Sequence, residues 1–318
     1  MVKPYEQRFP WQLDWNLLRT FMVVVEQRGI SRAADFLGLK QPTISSALKR
    51  LEQTTGQVLI IRKPNEFKVT RAGQVLYSEC SSIFGAVSQL PSLLQTNEEE
   101  LRGHIFVAVA SHVISAHFDD MLHDFSQRHP KVTFSFSVAE SEEVMGRVSQ
   151  NRASVGICLM HDIPAGLKAS VLYREYFALF CGPRHRLFDR PEIALSDLAG
   201  EASVAFQTEA NDGPLEPVAR LRARAKIASG WRGVSSNLHE LRRMIVAGIG
   251  IGALPVHVAE RDVALGRLRQ LPPYDNLPLV NIYLLSNPER RMSEAETAFL
   301  AACEGMIASV DLEARTYR

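Results

Sequence analysis

The chain has 318 residues, 46% of them hydrophobic, and its 36 Lys/Arg against 35 Asp/Glu leave a formal charge of +1. That length suits two or three domains with real cores, and the balance excludes a uniformly basic polyanion binder. The charge is uneven, however: residues 1–97 carry 12 Lys/Arg against 7 Asp/Glu and the other 221 carry 24 against 28, so a basic first third precedes a mildly acidic body. Such a layout fits a nucleic-acid module joined to something else. The N-terminus lacks the apolar stretch of a secretory signal and no run approaches about 18 apolar residues, so a soluble, cytoplasmic chain with no membrane partner is expected.

Residues 1–13 read as a tail. Asp14 can cap a first helix whose buried side is Leu17, Leu18, Phe21, Val24 and Val25, ending near Gly29. Two short helices follow over 30–52. The first is expected to be capped by Ser31 and to bury Ala33, Ala34 and Leu37, with Gly38 making the turn. The second carries Pro42 in its first turn, where a missing N–H costs nothing, and buries Ile44, Leu48 and Leu51 at helical spacing. It presents Gln41, Thr43, Ser45, Ser46, Lys49 and Arg50. A short braced helix showing amides, hydroxyls and cations suits a DNA major groove; the plain alternative is a helical hairpin in any core.

Val58–Arg62 and Phe67–Thr70 read as the arms of a hairpin around Lys63-Pro64-Asn65-Glu66. With Arg62, Lys63 and Lys68 on it, the hairpin is a natural wing against phosphates. Three helices and a basic hairpin make a winged helix-turn-helix over 14–71. Gln41, Pro42, Thr43, Ser45 and Ser46 are assigned to base edges; Lys40, Lys49, Arg50, Arg62, Lys63 and Lys68 are assigned mostly to phosphates, and Ser31 and Arg32 join the DNA-contacting set.

A long helix over 72–97 places Leu76, Cys80, Ile83, Val87, Leu90 and Leu94 at spacings of 4, 3, 4, 3 and 4. That a/d seam favours a homodimer, although the pattern also fits an amphipathic helix packed on its own chain. Beyond Glu98-Glu99-Glu100 and Gly103, strands and helices alternate: strands at 104–110, 132–138, 155–160, 176–181, 203–206, 233–236 and 280–286, a helix with Phe118, Leu122 and Phe125 leading to Pro130, and further helices at 141–150, near 215–227, and at 237–247 and 293–309. Alternation implies parallel sheets with ligand crevices at the strands' C-terminal ends, and the length suits two lobes.

Several features point elsewhere when taken singly. Gly248-x-Gly250-x-Gly252 follows a helix and precedes a strand, so it reads as a tight turn and not as a dinucleotide motif. His112 and His117 lack an acidic or Cys partner, and Cys80, Cys158, Cys181 and Cys303 show no ligand spacing, so neither a metal nor a cofactor is expected. Arg220, Arg222, Arg224 and Lys226 read as an exposed helix face. No nucleophile motif or paired carboxylates support an enzyme.

The order of these parts resembles the LysR-type transcriptional regulators over nearly the whole length. The resemblance rests on Phe21, Ser31, Ala33-Ala34, Leu37, Gln41-Pro42, Ser45, Leu51-Glu52 and Gly56; on Leu59, Arg62 and Val69-Thr70-x-Ala72-Gly73; and on Leu172-Tyr173-Arg174-Glu175, His185-x-Leu187, Asp197-Leu198 and the run from Val246 to Pro255. Four positions depart from the family pattern: Ile60 in the wing, Lys40 where a capping Ser commonly precedes Gln-Pro, Pro91 as a candidate kink, and Ser154 in place of an Asp.

The resemblance implies an α/β body with the fold of periplasmic binding proteins, one lobe from 104–161 plus 270–318 and the other from 162–269. It places an effector between them, at Ser111, His112, Ser141, Phe206-Gln207-Thr208 and Asn237. Hydroxyls beside helix N-termini suit carboxylates, so a small organic anion is the expected ligand. The expectation is a sequence-specific DNA-binding regulator controlled by that small molecule. Its partners would be a double-stranded operator, the effector and its own copies as a dimer or tetramer, with RNA polymerase a further candidate. Competing readings are a thiol-redox regulator and a solute-binding protein.

Overall fold

A computed structural model describes residues 13–63, 66–94, 101–111, 113–209 and 213–318. It divides into two compact units, residues 1–90 and 91–318.

The first unit begins with α1 (Trp15–Glu26), whose N-terminus is capped by Asp14 accepting from the Asn16 N–H at 3.0 Å. Then come α2 (Ile30–Leu37) and α3 (Gln41–Thr55). Gly38 sits at φ +65°, a left-handed conformation that glycine adopts without steric cost, and the chain turns there into α3. One expectation fails: Gly29, not Ser31, is the N-cap of α2, and Ser31 lies exposed in its first turn. The extended backbone of Gly29 lets the helix start two residues earlier, with the Ala33 N–H bonded to the Gly29 carbonyl at 3.0 Å.

Ile44, Leu48 and Leu51 are fully buried with Phe21, Val24 and Ala33. Each large apolar side chain stabilises by about 1.5–3 kcal/mol over an exposed one, and this fixes which face of α3 points outward. The hairpin is β1 (Ile60–Lys63) against β2 (Glu66–Val69), in the register Ile60 to Val69 and Ile61 to Lys68. Each strand runs one residue nearer the tip than the sequence suggested. Ile60 fills the core at the wing's base.

The helix α4 (Arg71–Leu94) starts from a tight junction. The Thr70 hydroxyl donates to the Val58 carbonyl at 2.7 Å and accepts the Gly73 N–H at 3.0 Å. A Cβ on Gly73 would overlap the carbonyl oxygen of Leu59, so only glycine permits this approach. The junction turns Leu76 and Cys80 inward, so these two positions of the expected seam serve the unit's own core. Cys80 is fully buried in the first unit's core and Leu76 packs against it, whereas Val75 and Val87 are exposed and Ile83 is half-buried. The side chains of Leu90 and Leu94 lie outside the described residues.

The second unit holds β3 (Gly103–Ala110), α5 (Ala116–Arg128), β4 (Val132–Ala139), α6 (Ser141–Ser149), β5 (Val155–Cys158) and β6 (Lys168–Cys181). After these come β7 (Ser203–Phe206), α7 (Glu216–Arg224), β8 (Trp231–Ser235), α8 (Leu238–Val246), β9 (Gly252–Pro255), α9 (Val256–Ala264), β10 (Arg269–Leu271), β11 (Leu279–Ser286), α10 (Glu294–Ser309) and β12 (Thr316–Tyr317). Gly248, at φ +76°, lies in the turn from α8 toward β9, as the glycine run predicted.

The sheets are mixed, not purely parallel. β3 pairs with β4 and β5 in parallel, but β11 runs antiparallel to both β5 and β6. The cause is β6, a strand of 14 residues. Its first part, Lys168–Tyr176, bonds to β11; its second, Phe177–Cys181, bonds to β9 and β10. A single strand therefore serves both lobes, and its first half belongs to the sheet of the first lobe although it lies past residue 161. Ser154 is buried at that sheet's edge, accepting the Phe106 N–H at 3.1 Å and donating to Glu296 at 2.5 Å, so it links β3 to the capping box of α10.

Candidate nucleic-acid interface and effector cleft

The outward face of α3 carries Gln41, Pro42, Thr43, Ser46, Lys49 and Arg50, all exposed, with Ser45 half-buried. Lys40 is the N-cap residue and makes no side-chain cap bond, since an ammonium cannot accept. With Pro42 lacking an N–H and the Thr43 N–H bonded to the Lys40 carbonyl at 2.9 Å, the Gln41 N–H remains for water or a phosphate, with a cation beside it. Glu52 fixes the wing to this helix: its carboxylate accepts the N–H groups of Leu59 at 2.9 Å and Ile60 at 3.3 Å. Lys68 is exposed on the wing, whereas the side chains of Arg62 and Lys63 lie outside the described residues. Two expected contacts are partly engaged elsewhere. Arg32 donates to the Arg28 carbonyl at 2.5 Å, and Arg50 lies 3.7 Å from the Asp14 carboxylate, an exposed pair of little strength.

In the second unit, Ser111, Ser141, Phe206, Gln207 and Thr208 come together around one cavity, with Ala110, Ala139, Glu140 and Ser236. Ser111 follows β3, Ser141 opens α6, and Phe206–Thr208 leave β7, so three strand ends converge as expected for an α/β crevice. The Ser111 hydroxyl donates to the Ser236 carbonyl at 2.8 Å and accepts the Leu238 N–H at 3.4 Å, capping α8 from across the cleft. Asn237 is the N-cap of α8, and its side-chain oxygen accepts from the His239 and Glu240 N–H groups at 2.9 and 3.3 Å. Ser141 is 95% buried at the first position of α6, whose N-cap Glu140 makes no side-chain bond. His112 lies outside the described residues. The cavity measures about 20 Å³, room for a water molecule and nothing larger.

Residues 15–74 match the bacterial regulatory helix-turn-helix protein, lysR family, and residues 98–307 match the LysR substrate binding domain. The chain belongs to the LysR family of transcriptional regulators.

Among LysR-type relatives, the regulator CysL of Bacillus subtilis (strain 168) is 23% identical over 249 residues, covering 78% of this chain and 83% of that one. The activator BauR of Pseudomonas aeruginosa is 26% identical over 294 residues, covering 91% and 94%. In fold, the chain is similar to full-length CbnR complexed with its target DNA, with a TM-score of 0.63 at 18% identity over 92% of this chain and 100% of that one. No helix among the described residues is long and apolar enough to cross a membrane.

As a LysR-type regulator, this chain offers poor material for thiol sensing. All four cysteines are buried and free, and burial pushes the thiols of Cys80 and Cys181 up to about 11 and those of Cys158 and Cys303 up to about 12. A sensing thiol needs the opposite shift.

Sequence reasoning missed two buried acids. Glu175 on β6 has neither carboxylate oxygen hydrogen-bonded among the described residues, and burial holds its carboxyl well above the usual range. Glu209 lies just past the cleft residues and faces Arg222 at 3.0 Å. Arg222 thereby corrects the expected exposed helix face, since it is 8% exposed and points inward from α7. Only the spacing of Arg222 with Val218 and Leu221, the other buried residues of α7, could have signalled this.

Proposed function

We propose that this LysR-type regulator reads a double-stranded operator with α3 and that a small organic anion, admitted between the lobes, changes how it sits on that DNA. Gln41, Thr43, Ser45 and Ser46 meet base edges, the amide suited to adenine; Lys40, Lys49, Arg50 and the wing cations hold phosphates and set register. The observation that carries the effector half is the convergence of Ser111, Ser141 and Phe206–Thr208 on one cavity, at the N-termini of α6 and α8. N–H groups and hydroxyls there favour a carboxylate head. Glu140 also lines this cavity, so a ligand that carries a donor as well, such as a hydroxy or amino acid, fits best.

At about 20 Å³ the cavity is far smaller than any organic acid, so binding requires the lobes to part and reclose on the ligand. Work of this kind is binding, not catalysis, and belongs in the cytoplasm with the DNA. A two-fold dimer matches two half-sites, and pairing of dimers would double the contact again. Footprinting on the DNA upstream of the regulator's own gene, repeated with a panel of small organic acids, tests both halves. A protected region that shortens or shifts with one acid supports the reading; protection that no acid alters removes the effector half.

A further inference from the structure

Three of the cleft residues, Phe206, Gln207 and Thr208, sit on a single turn at the end of β7, and Glu209 closes it with its N–H bonded to the Phe206 carbonyl at 3.1 Å. The Glu209 side chain has no exposed surface and forms an ion pair with Arg222 at 3.0 Å. The same guanidinium, itself buried, donates to the Val204 carbonyl at 3.1 Å and to the Ser203 hydroxyl. One side chain from α7 therefore grips the start of β7 and the far end of the turn, and the cleft residues lie between the two anchors. A buried ion pair between fully desolvated partners is a poor source of net stability, because desolvation offsets most of the attraction. Its value here is geometric.

We propose that Glu209 and Arg222 form a positioning pair that holds the Phe206–Thr208 turn in place to receive the effector. The role as cleft support rests on the effector-cleft reading; the anchoring of the turn does not. Among the described residues, Arg222 is the charged group that pairs with Glu209. Burial outweighs its pull and brings the Glu209 carboxyl up to about 7. When the turn opens to water, that carboxyl reverts toward its ordinary value of 4.5, so opening releases a proton and becomes easier as pH rises to about 7.

Hydrogen exchange on the full-length protein without any ligand tests this, following the peptide 203–209 from pH 5 to 8 after correction for the intrinsic pH dependence. Protection should fall by roughly 100-fold across that range in the wild type. It should stay level in Glu209→Gln, which keeps shape and hydrogen-bonding capacity but cannot ionise. Arg222→Lys should lower protection in this peptide while core peptides keep theirs. Unchanged protection of this peptide in Arg222→Lys overturns the proposal. Should a variant fail to fold, Ser203→Ala, which removes one contact of the Arg222 guanidinium, decides: lowered protection confined to this peptide supports the anchoring, and unchanged protection overturns it. Because no effector enters these measurements, they fail separately from the cleft reading, which the acid panel tests.

Discussion

The hydroxyl of Ser111 donates to the carbonyl of Ser236 at 2.8 Å, bridging the end of β3 in one lobe to the start of α8 in the other. It also accepts the Leu238 N–H, so a single oxygen both latches the cleft and caps a helix. A net hydrogen bond of this kind is worth about 0.5–1.5 kcal/mol, a size that biases a lobe equilibrium without locking it. Ser111→Ala should therefore shift the ligand-free ensemble toward open lobes, seen as a larger radius of gyration in small-angle scattering. An unchanged scattering curve would remove the latch.

On the DNA side, Lys49 and Gln41 share the exposed face of α3 but should fail differently. Lys49→Ala is expected to weaken binding to all sequences and to lower the salt slope by about 1, as loss of one phosphate contact does. Gln41→Ala should leave the slope alone and relax sequence choice at one base pair, costing about 1–3 kcal/mol of discrimination. Unchanged site preference in Gln41→Ala sinks its assignment to a base edge.

At Gly73 the constraint is steric. Gly73→Ala puts a methyl group into the Leu59 carbonyl, so α4 or the wing must move. Because Glu52 and Thr70 tie the same strand to α3 and α4, the disturbance reaches the reading surface. Overpacking of this kind costs about 1–3 kcal/mol, and operator affinity should drop with it. Wild-type affinity together with wild-type denaturant midpoint would show that the junction yields freely.

Glu175 makes a prediction about pH. Its carboxyl is held well above the ordinary range by burial, with the His257 imidazole at 4.0 Å, itself held below its usual range. A raised folded value means that the contribution to stability is fully present below the unfolded value and is lost as pH rises through the folded one. Between pH 5 and 8 the Glu175 contribution should thus fall, against an opposite gain from His257, whose imidazole is held low. Glu175→Gln, which stays neutral, should lose less stability than the wild type in denaturant titrations at the two pH values. An equal loss in both proteins would assign the pH dependence to other groups.

The α3 surface was legible because helical spacing and a buried stripe of Ile44, Leu48 and Leu51 leave one outcome for the other residues. Ser111, Ser141 and Phe206–Thr208 were placed together by the family resemblance, and the fold agrees because they occupy strand ends, which α/β folds gather on one side. What could not be read was pairing at a distance. Nothing in the local pattern of Lys168–Cys181 tells that one strand spans two sheets, and nothing around Arg222 names Glu209 as its partner. The a/d spacing of Leu76 and Cys80 misled for a related reason: the same periodicity serves a helix packed on its own unit, and Gly73 decides which way it turns.

The most direct measurement is a quantitative footprint of the full-length protein on the DNA upstream of its own gene, run side by side with Lys49→Ala. Protection of two half-sites related by two-fold symmetry is expected for the wild type, with the same pattern at higher protein concentration for the variant. No protection by the wild type, or protection that Lys49→Ala leaves unchanged at every salt concentration, would contradict the assignment of α3 as the helix that meets DNA.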